Sequence, residues 1–521
     1  MTSLRPPSSN QHWLDQIDRH AHLTPDRPAL VFEGITTTWA DLRRRVSALA
    51  GALADRGVGR GDRVAVLMSN RPEFLETVLA ANALGAIAVP VNFRLSADEV
   101  RFILRDSGAV ALATDADLAA LGAEVRHALA EPAILLVSGV EDGEFDALAA
   151  GPARERTVEV GELDPALLMY TSGTTGRPKG AVLTHLNLAV QTQTLVRCWR
   201  LYRGDEINLC ASPMFHIAAI AGIVPMIATG ATTVVMPSGR FDSEIMLDTL
   251  ERERVTHVFM VPAQWQAVVD VPDAGKRAAR LRVMCWGAAP ASVTLLERMA
   301  ATFPGVPNVC TFGQTEMSPV AAVLDGEDAI RKIGSIGRPV PAVDIRIVDA
   351  EMNDVPRGAV GEIVYRGPSV MQGYWNLPEA TADAFAGGWF HSGDLVREDE
   401  DGFLYVVDRK KDMIISGGES IYCAEVENVL AAHPAIADVA VVAAPHEKWG
   451  ETPVAVVVPL DPAAPPSLGE ITEWCRPRLA AYKKPTQLLL LDALPRNASG
   501  KVLKPALRQQ VAEHVVAMES T

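Results

Sequence analysis

Cysteine is scarce in this chain: six residues in 521, at Cys198, Cys210, Cys285, Cys310, Cys423 and Cys475. None forms a C-x-x-C pair and their spacing fits no zinc pattern, which argues against a disulfide scaffold and a cysteine-built metal site. Reduced, buried thiols in a cytoplasmic protein are expected instead. Long apolar runs are missing too. The most apolar stretch, Ile217–Gly230, contains Pro225 and falls short of the roughly 20 residues that span a bilayer, so it reads as a buried helix. The N-terminus, MTSLRPPSSNQHWLDQ, has no apolar core behind its charge and does not read as a signal peptide. Positive charge is in deficit: 48 Lys and Arg against 64 Asp and Glu leave a net charge of −16. That argues against a broad basic surface for nucleic acid, but not against a nucleotide, which needs only local cations and backbone N–H groups.

What is present is an ordinary globular composition, 48% hydrophobic and 21% charged, in a chain too long for one core. Two to four structural units are expected. Up to about residue 400, short Val/Ala/Ile runs such as Arg63–Met68 and Gly85–Val91 alternate with 3.6-period runs such as Trp39–Arg56 and Pro72–Leu84. Alternating strands and helices predict an α/β fold with parallel sheets covered by helices. Residues 115–156 are Ala-rich and read as a variable surface region. From about Val343, alternating segments (VDIRIV, GEIVY) predict a β-rich subdomain over 343–408. The charged cluster Asp408-Arg409-Lys410-Lys411-Asp412 then separates a large N-terminal domain, 1–408, from a small α+β domain, 409–521. The boundary, 409–412, is the expected hinge.

The loop Thr171-Ser172-Gly173-Thr174-Thr175-Gly176-Arg177-Pro178-Lys179-Gly180 follows the apolar run Ala166–Tyr170. Its glycines let the backbone approach an anion, and its hydroxyls and free N–H groups can donate to phosphate oxygens. It is not a Walker A loop, because Lys179 follows Pro178 and precedes Gly180 rather than Ser or Thr. By itself the loop supports phosphate binding and no more.

The loop resembles the signature of the adenylate-forming superfamily: acyl- and aryl-CoA synthetases, adenylation domains and beetle luciferases. The resemblance runs from about Leu30 to Leu507, and further motifs follow in the family's order. Phe312-Gly313-Gln314-Thr315-Glu316 is similar to the family's aromatic-Gly-x-Thr-Glu motif. The resemblance implies Phe312 beside adenine, Thr315 at the α-phosphate and Glu316 on Mg²⁺, with Thr171 as a second contact on the metal side. Mg²⁺ suits such a site, since it combines one or two protein oxygens with substrate phosphates. Gly287-Ala288-Ala289-Pro290 resembles the adenine-side turn. Trp286 departs from the small residue usual before it, so its indole either narrows the acyl pocket or is plain core. His216 resembles the family's His beside the carboxylate, although Ala219 stands where many relatives carry Gly. Asp394, in HSGD, and Arg409 match the residues that reach the ribose hydroxyls. Lys411 matches the hinge position, and Gly417-Gly418 the stretch that borders the pantetheine tunnel. Lys501, in PRNASGK, matches the catalytic lysine, whose ammonium can offset repulsion between a carboxylate and the α-phosphate.

The implied reaction is a two-step ligation that consumes ATP with Mg²⁺ and takes coenzyme A as co-substrate. A carboxylate attacks the α-phosphate, pyrophosphate leaves, and the CoA thiol then displaces AMP. Between the steps the C-terminal domain is expected to turn about Lys411. The motif set, including DMIISGGE, resembles bacterial medium- or long-chain fatty-acyl-CoA ligases most. Aryl-CoA ligases of the cinnamate or benzoate kind are close in pattern and stay open. A nucleotide-binding protein without turnover is a third reading, disfavoured by the intact set Lys179, Glu316, Asp394, Arg409 and Lys501. The expected partners are a small carboxylic acid, ATP and CoA. Peripheral membrane contact and a homodimer are both compatible with the sequence.

Overall fold

The computed structural model describes residues 12–140, 144–154, 158–171, 178–289, 291–417, 419–446, 448–496 and 501–519. Among these residues the strands form four sheets. The largest has a parallel centre made of Asn308–Phe312, Val283–Gly287, His257–Met260, Ile207–Cys210, Thr232–Val235 and Pro28–Phe32. Ala322–Leu324, with Arg338–Pro339 beyond it, and Ile35–Thr38 flank it with antiparallel pairings. The second runs from Gly373–Tyr374 through Lys179–Thr184, Pro165–Thr171, Ile87–Pro90, Arg63–Leu67 and Ala111–Asp115 to Ile134–Ser138. Here too only the margin is antiparallel, where Lys179–Thr184 runs opposite to both Gly373–Tyr374 and Pro165–Thr171. The sheets are therefore mixed, with antiparallel margins on parallel cores, rather than parallel throughout.

Strand alternation explains the layers. Val283 and Cys285 point into the large core shared with helices Trp39–Asp55, Pro72–Ala83, His185–Cys198 and Ile217–Thr229, which lies between the two sheets. Met284 and Trp286, one residue out of phase, point to the other face, under helices Ser243–Arg252, Pro262–Val269 and Val293–Thr302. The second sheet divides in the same way: Val64 and Val66 join the shared core, while Ala65 and Leu67 pack under helix Ala97–Ser107. Parallel strands buried on both faces need this double-sided apolarity.

The expected helices at 39–56, 72–84 and 217–230 appear as Trp39–Asp55, Pro72–Ala83 and Ile217–Thr229. Residues 115–156 differ from expectation. They include the strand Ile134–Ser138, paired in parallel with Ala111–Asp115 as the sheet edge. Five residues without helical or strict alternating periodicity carry too little pattern to stand out from Ala-rich surroundings.

A four-stranded antiparallel sheet, Asp344–Val348, Val360–Arg366, Phe390–Glu398 and Leu404–Arg409, follows. The last sheet begins at Ile414–Ser416 and is built on the long hairpin Ile436–His446 and Gly450–Pro459. Helices Cys423–Ala431 and Leu468–Cys475 pack on one face, and helix Lys504–Glu519 packs on the other through Leu507 and Val511.

Candidate active site

The site lies where parallel strands end, the usual place for ligands in open α/β sheets. Pro165–Thr171 delivers Thr171, Val283–Gly287 delivers Gly287, and Asn308–Phe312 delivers Phe312. After Ile207–Cys210 the chain turns through Met214 and Phe215 to His216, the N-cap of helix Ile217–Thr229. Two glycines are fixed by contact rather than by motif. A Cβ at Gly287 would lie 2.2 Å from Thr311 O, and one at Gly313, with φ +155, would lie 2.0 Å from Pro319 O. Ala288 takes φ +65 and is exposed in the turn with Ala289.

Glu316 sits in the short 3₁₀ turn Thr315–Met317 and is buried. Its Oε1 accepts from Thr171 Oγ1 at 3.3 Å and from Tyr374 Oη at 3.1 Å. Gln191 Nε2 fastens the loop by donating to Met317 O at 2.9 Å. Lys179 Nζ lies 5.1 Å from the Tyr374 ring centroid, so Lys179 and Glu316 share one aromatic neighbour.

Asp394 is 2% exposed. Arg409 Nε pairs with its Oδ1 at 2.6 Å, across the register that sets these two residues opposite each other. Burial raises the Asp394 carboxyl above its usual range, while Arg409 and Lys501 act the other way. Its Oδ2 is buried without a protein hydrogen-bond partner. An orphaned carboxylate oxygen is costly, and a vicinal diol would satisfy it. Behind it, Glu362 accepts from Gly393 N at 3.0 Å and Lys410 Nζ at 3.0 Å, with His391 Nδ1 at 3.1 Å.

Lys501 comes from the last unit of the chain and is half-buried in the same place. Burial lowers its ammonium below the usual lysine range; Arg409 and Lys411 push the same way, while Asp394 and Glu316 oppose them. His216 is pulled down to about 4, first by burial and then by Lys501 and Arg94. Its Nε2 is buried without a protein hydrogen-bond partner. Phe215 lies 4.4 Å from the His216 ring and 5.3 Å edge-on from Phe93, an apolar wall beside the imidazole.

The structure thus gathers Thr171, Glu316, Asp394, Arg409, Lys501 and His216. Gln314 Nε2 reaches Ser392 O at 3.5 Å, linking the Phe312–Glu316 segment to the Asp394 loop. Trp286 points away, into the core with Met246, Trp265 and Phe303. Gly417 turns with φ +61 against the Trp449 ring, and none of the described contacts ties it to the Asp394 group. Lys411 is exposed. Ser172, Gly173, Thr174, Thr175, Gly176, Pro290 and Gly418 lie outside the described residues. Tyr374, Gln191, Glu362 and Arg94 were not found by sequence reasoning; only the fold brings them to the motif residues.

Among the described residues no group of three His, Cys, Asp or Glu side chains could hold a metal alone. Glu316 with Thr171 therefore suits Mg²⁺ only if phosphate oxygens complete its shell, which is how Mg²⁺ is usually bound. Among the described residues no helix is long and apolar enough to cross a membrane.

Comparison with known proteins agrees with this geometry. The family model "AMP-binding enzyme" matches residues 17–375, and "AMP-binding enzyme C-terminal domain" matches 425–501. A feruloyl-CoA synthase from an Amycolatopsis species is 42% identical over 94% of this chain and 97% of its own length. An indoleacetate–CoA ligase from Aromatoleum aromaticum is 40% identical, covering 97% and 99%. The long-chain-fatty-acid–CoA ligase FadD13 of Mycobacterium tuberculosis is 38% identical, covering 92% and 94%. Among solved structures, O-succinylbenzoate coenzyme A synthetase from Bacillus subtilis, in complex with ATP and magnesium ion, superposes with a TM-score of 0.83 at 35% identity, covering 95% and 99%. The chain belongs to the AMP-binding enzymes, in the AMP-forming acyl-CoA ligase family whose members use ATP, Mg²⁺ and coenzyme A.

Proposed function

We propose that this ligase activates an apolar carboxylic acid with an aromatic ring, of the feruloyl or indoleacetate kind, and passes it to the CoA thiol. The unpartnered Asp394 Oδ2, buried beside Arg409 and Lys501, carries the assignment of the nucleotide site. The ribose diol donates to Asp394, and Arg409 fixes that carboxylate. Lys501 lies between the acid and the α-phosphate and offsets the repulsion of two anions. His216 stays neutral at pH 7, because its value of about 4 leaves it unprotonated, and orients the acid. Glu316, positioned by Tyr374 and Thr171, supplies the protein oxygen for Mg²⁺, which neutralises phosphate charge when bound. The oxygen of the acid bonds to the α-phosphorus as the bond to pyrophosphate breaks. In the second step the thiol sulfur bonds to the acyl carbon, its proton leaves, and AMP departs. No protein nucleophile is needed, and catalysis is positioning and charge neutralisation. Residues 1–408 form the nucleotide- and acyl-binding unit, and 409–521 the unit that carries Lys501.

The aromatic choice rests on the relatives at 42% and 40% identity, which act on aromatic acids by name, and on the Phe93–Phe215 wall beside His216. A medium- or long-chain fatty acid is the second reading, favoured by the 38% identical fatty-acid ligase. CoA-dependent AMP formation across ferulate, indoleacetate and a series of short to long fatty acids decides between them. An aromatic acid with the highest kcat/KM supports the first reading. A long-chain fatty acid in that place overturns it.

A further inference from the structure

Side-chain tethers on the segment Asp408–Asp412 differ in how they lie about Lys411, which the backbone bonds from Asp412 N and Met413 N to Arg409 O span as a local turn. On one side Lys410 Nζ donates to Glu362 Oε2 at 3.0 Å, within the four-stranded sheet. On the other, Arg508 Nη2 donates to Asp412 Oδ1 at 2.6 Å, and Cys423 Sγ donates to Asp412 O at 3.0 Å. A rotation about Lys411 would carry each of these pairs along intact.

Asp408 does otherwise. It belongs to the strand Leu404–Arg409, yet its Oδ2 accepts from Cys423 N, the first residue of helix Cys423–Ala431 beyond the hinge. Its Oδ1 accepts from Arg409 N at 2.7 Å. Asp408 is 4% exposed. The charged groups facing it across the boundary are Lys504 and Glu427, themselves paired at 2.8 Å. The first N–H groups of a helix have no partner inside the helix, and a carboxylate there also meets the positive end of the helix dipole. Lys504 opens helix Lys504–Glu519, three residues after Lys501. The contact therefore reaches the element that carries the lysine.

We propose that Asp408 is a positioning residue: it latches the C-terminal unit in the orientation that sets Lys501 beside Asp394, and it must let go of Cys423 whenever that unit turns about Lys411. The proposal rests on the ligase reading, with Lys501 as the lysine of adenylate formation. It adds that the lysine-in state has its own lock, remote from the nucleotide.

The test reads Lys501 directly and needs no substrate. Full-length enzyme is treated briefly with acetic anhydride, and acetylation of Lys501 is measured by peptide mass spectrometry, with Lys332 as internal standard. Asp408→Ala should raise the relative rate at Lys501 about ten-fold, the factor carried by one charge-assisted bond to a helix N-terminus. Asp408→Asn, which keeps an oxygen acceptor, should raise it less. Cys423→Pro deletes the N–H donor instead, at a first-turn position where proline is tolerated, together with the Sγ bond to Asp412 O, which lies wholly beyond Lys411; it should mimic Asp408→Ala and serves if Asp408→Ala fails to fold. With ferulate, Asp408→Ala should slow pyrophosphate release but largely spare CoA-dependent consumption of supplied feruloyl-AMP. An unchanged Lys501 rate in folded Asp408→Ala or Cys423→Pro, or equal loss in both half-reactions, overturns the latch. Failure of the ligase reading is separate: the wild type would then turn over no acid at all, while the acetylation result still judges the latch.

Discussion

Arg409 Nε binds one oxygen of Asp394 at 2.6 Å and leaves the other, Oδ2, buried and unmet. The pairing is a product of strand register, since the two residues face each other across the Phe390–Glu398 and Leu404–Arg409 pair. Half of the carboxylate is spent on holding its direction, and half is left for a ligand. Asp394→Ala should weaken ATP binding by about 1.5–3 kcal/mol, the usual worth of a hydrogen bond to a charged group. The sharper measurement compares ATP with its 2′- and 3′-deoxy analogues. Wild type should discriminate strongly against one or both, and the variant should not. Equal discrimination in both enzymes would remove Asp394 from the ribose.

Lys501 is the one member of the group that arrives from the far side of the hinge. Its replacement by Ala should cost adenylate formation roughly 10²–10³-fold, as loss of one preorganised charge donor does in comparable sites. Consumption of supplied acyl-AMP by CoA should be largely spared. Pyrophosphate exchange and single-turnover thioester formation, measured side by side, give the two numbers. Parallel losses would mean that Lys501 supports the fold or both steps alike.

His216 gives a pH signature with a definite sign. Its folded value of about 4 lies below the ordinary 6.5. As pH falls from about 6.5 to about 4, the unfolded chain takes up the proton and the folded protein does not, so acid destabilises the fold across that window. The slope from this residue has an upper limit of about 1.4 kcal/mol per pH unit. His257 is also pulled down to about 4 by burial, so wild type must be compared with His216→Gln, in which His257 remains. Denaturant unfolding at several pH values should show a shallower acid loss in the variant. Identical slopes would mean that His216 is not held neutral.

Much of this site was legible before the fold, and the reason is local. Glu316 and Asp394 each sit in a short segment whose neighbours are constrained: Gly313 by Pro319 O, and Asp394 N by Ser392 Oγ at 2.9 Å. Such constraints leave marks in adjacent positions. Trp286 was ambiguous because a strand position has two faces, and one residue of phase decides between pocket and core. Tyr374 was invisible, since nothing local ties it to a carboxylate 58 positions earlier. The same holds for Asp408 and Cys423, 15 positions apart across a domain boundary. Helix Lys504–Glu519 was not read from the sequence either; among the described side chains Leu507 and Val511 pack it on the last sheet.

Tyr374 offers the cleanest test of what the fold adds. Its hydroxyl donates to Glu316 Oε1 at 3.1 Å, and Thr171 Oγ1 donates to the same oxygen at 3.3 Å. Two donors on one oxygen fix the carboxylate's rotation and leave Oε2 for other ligands. Burial and the Glu316 charge together raise the phenol far above its usual range, so it stays a donor at any working pH. Tyr374→Phe keeps the ring near Lys179, which lies 5.1 Å from its centroid, and removes only the hydroxyl. The loss should be about 1 kcal/mol, one ordinary hydrogen bond, or roughly five-fold in kcat/KM. It should appear mainly as a higher Mg²⁺ requirement at fixed ATP, because Glu316, the carboxylate proposed for Mg²⁺, is the group set loose. Titrating Mg²⁺ in the pyrophosphate-release assay measures this. A uniform fall in rate with an unchanged Mg²⁺ midpoint would assign Tyr374 to packing alone.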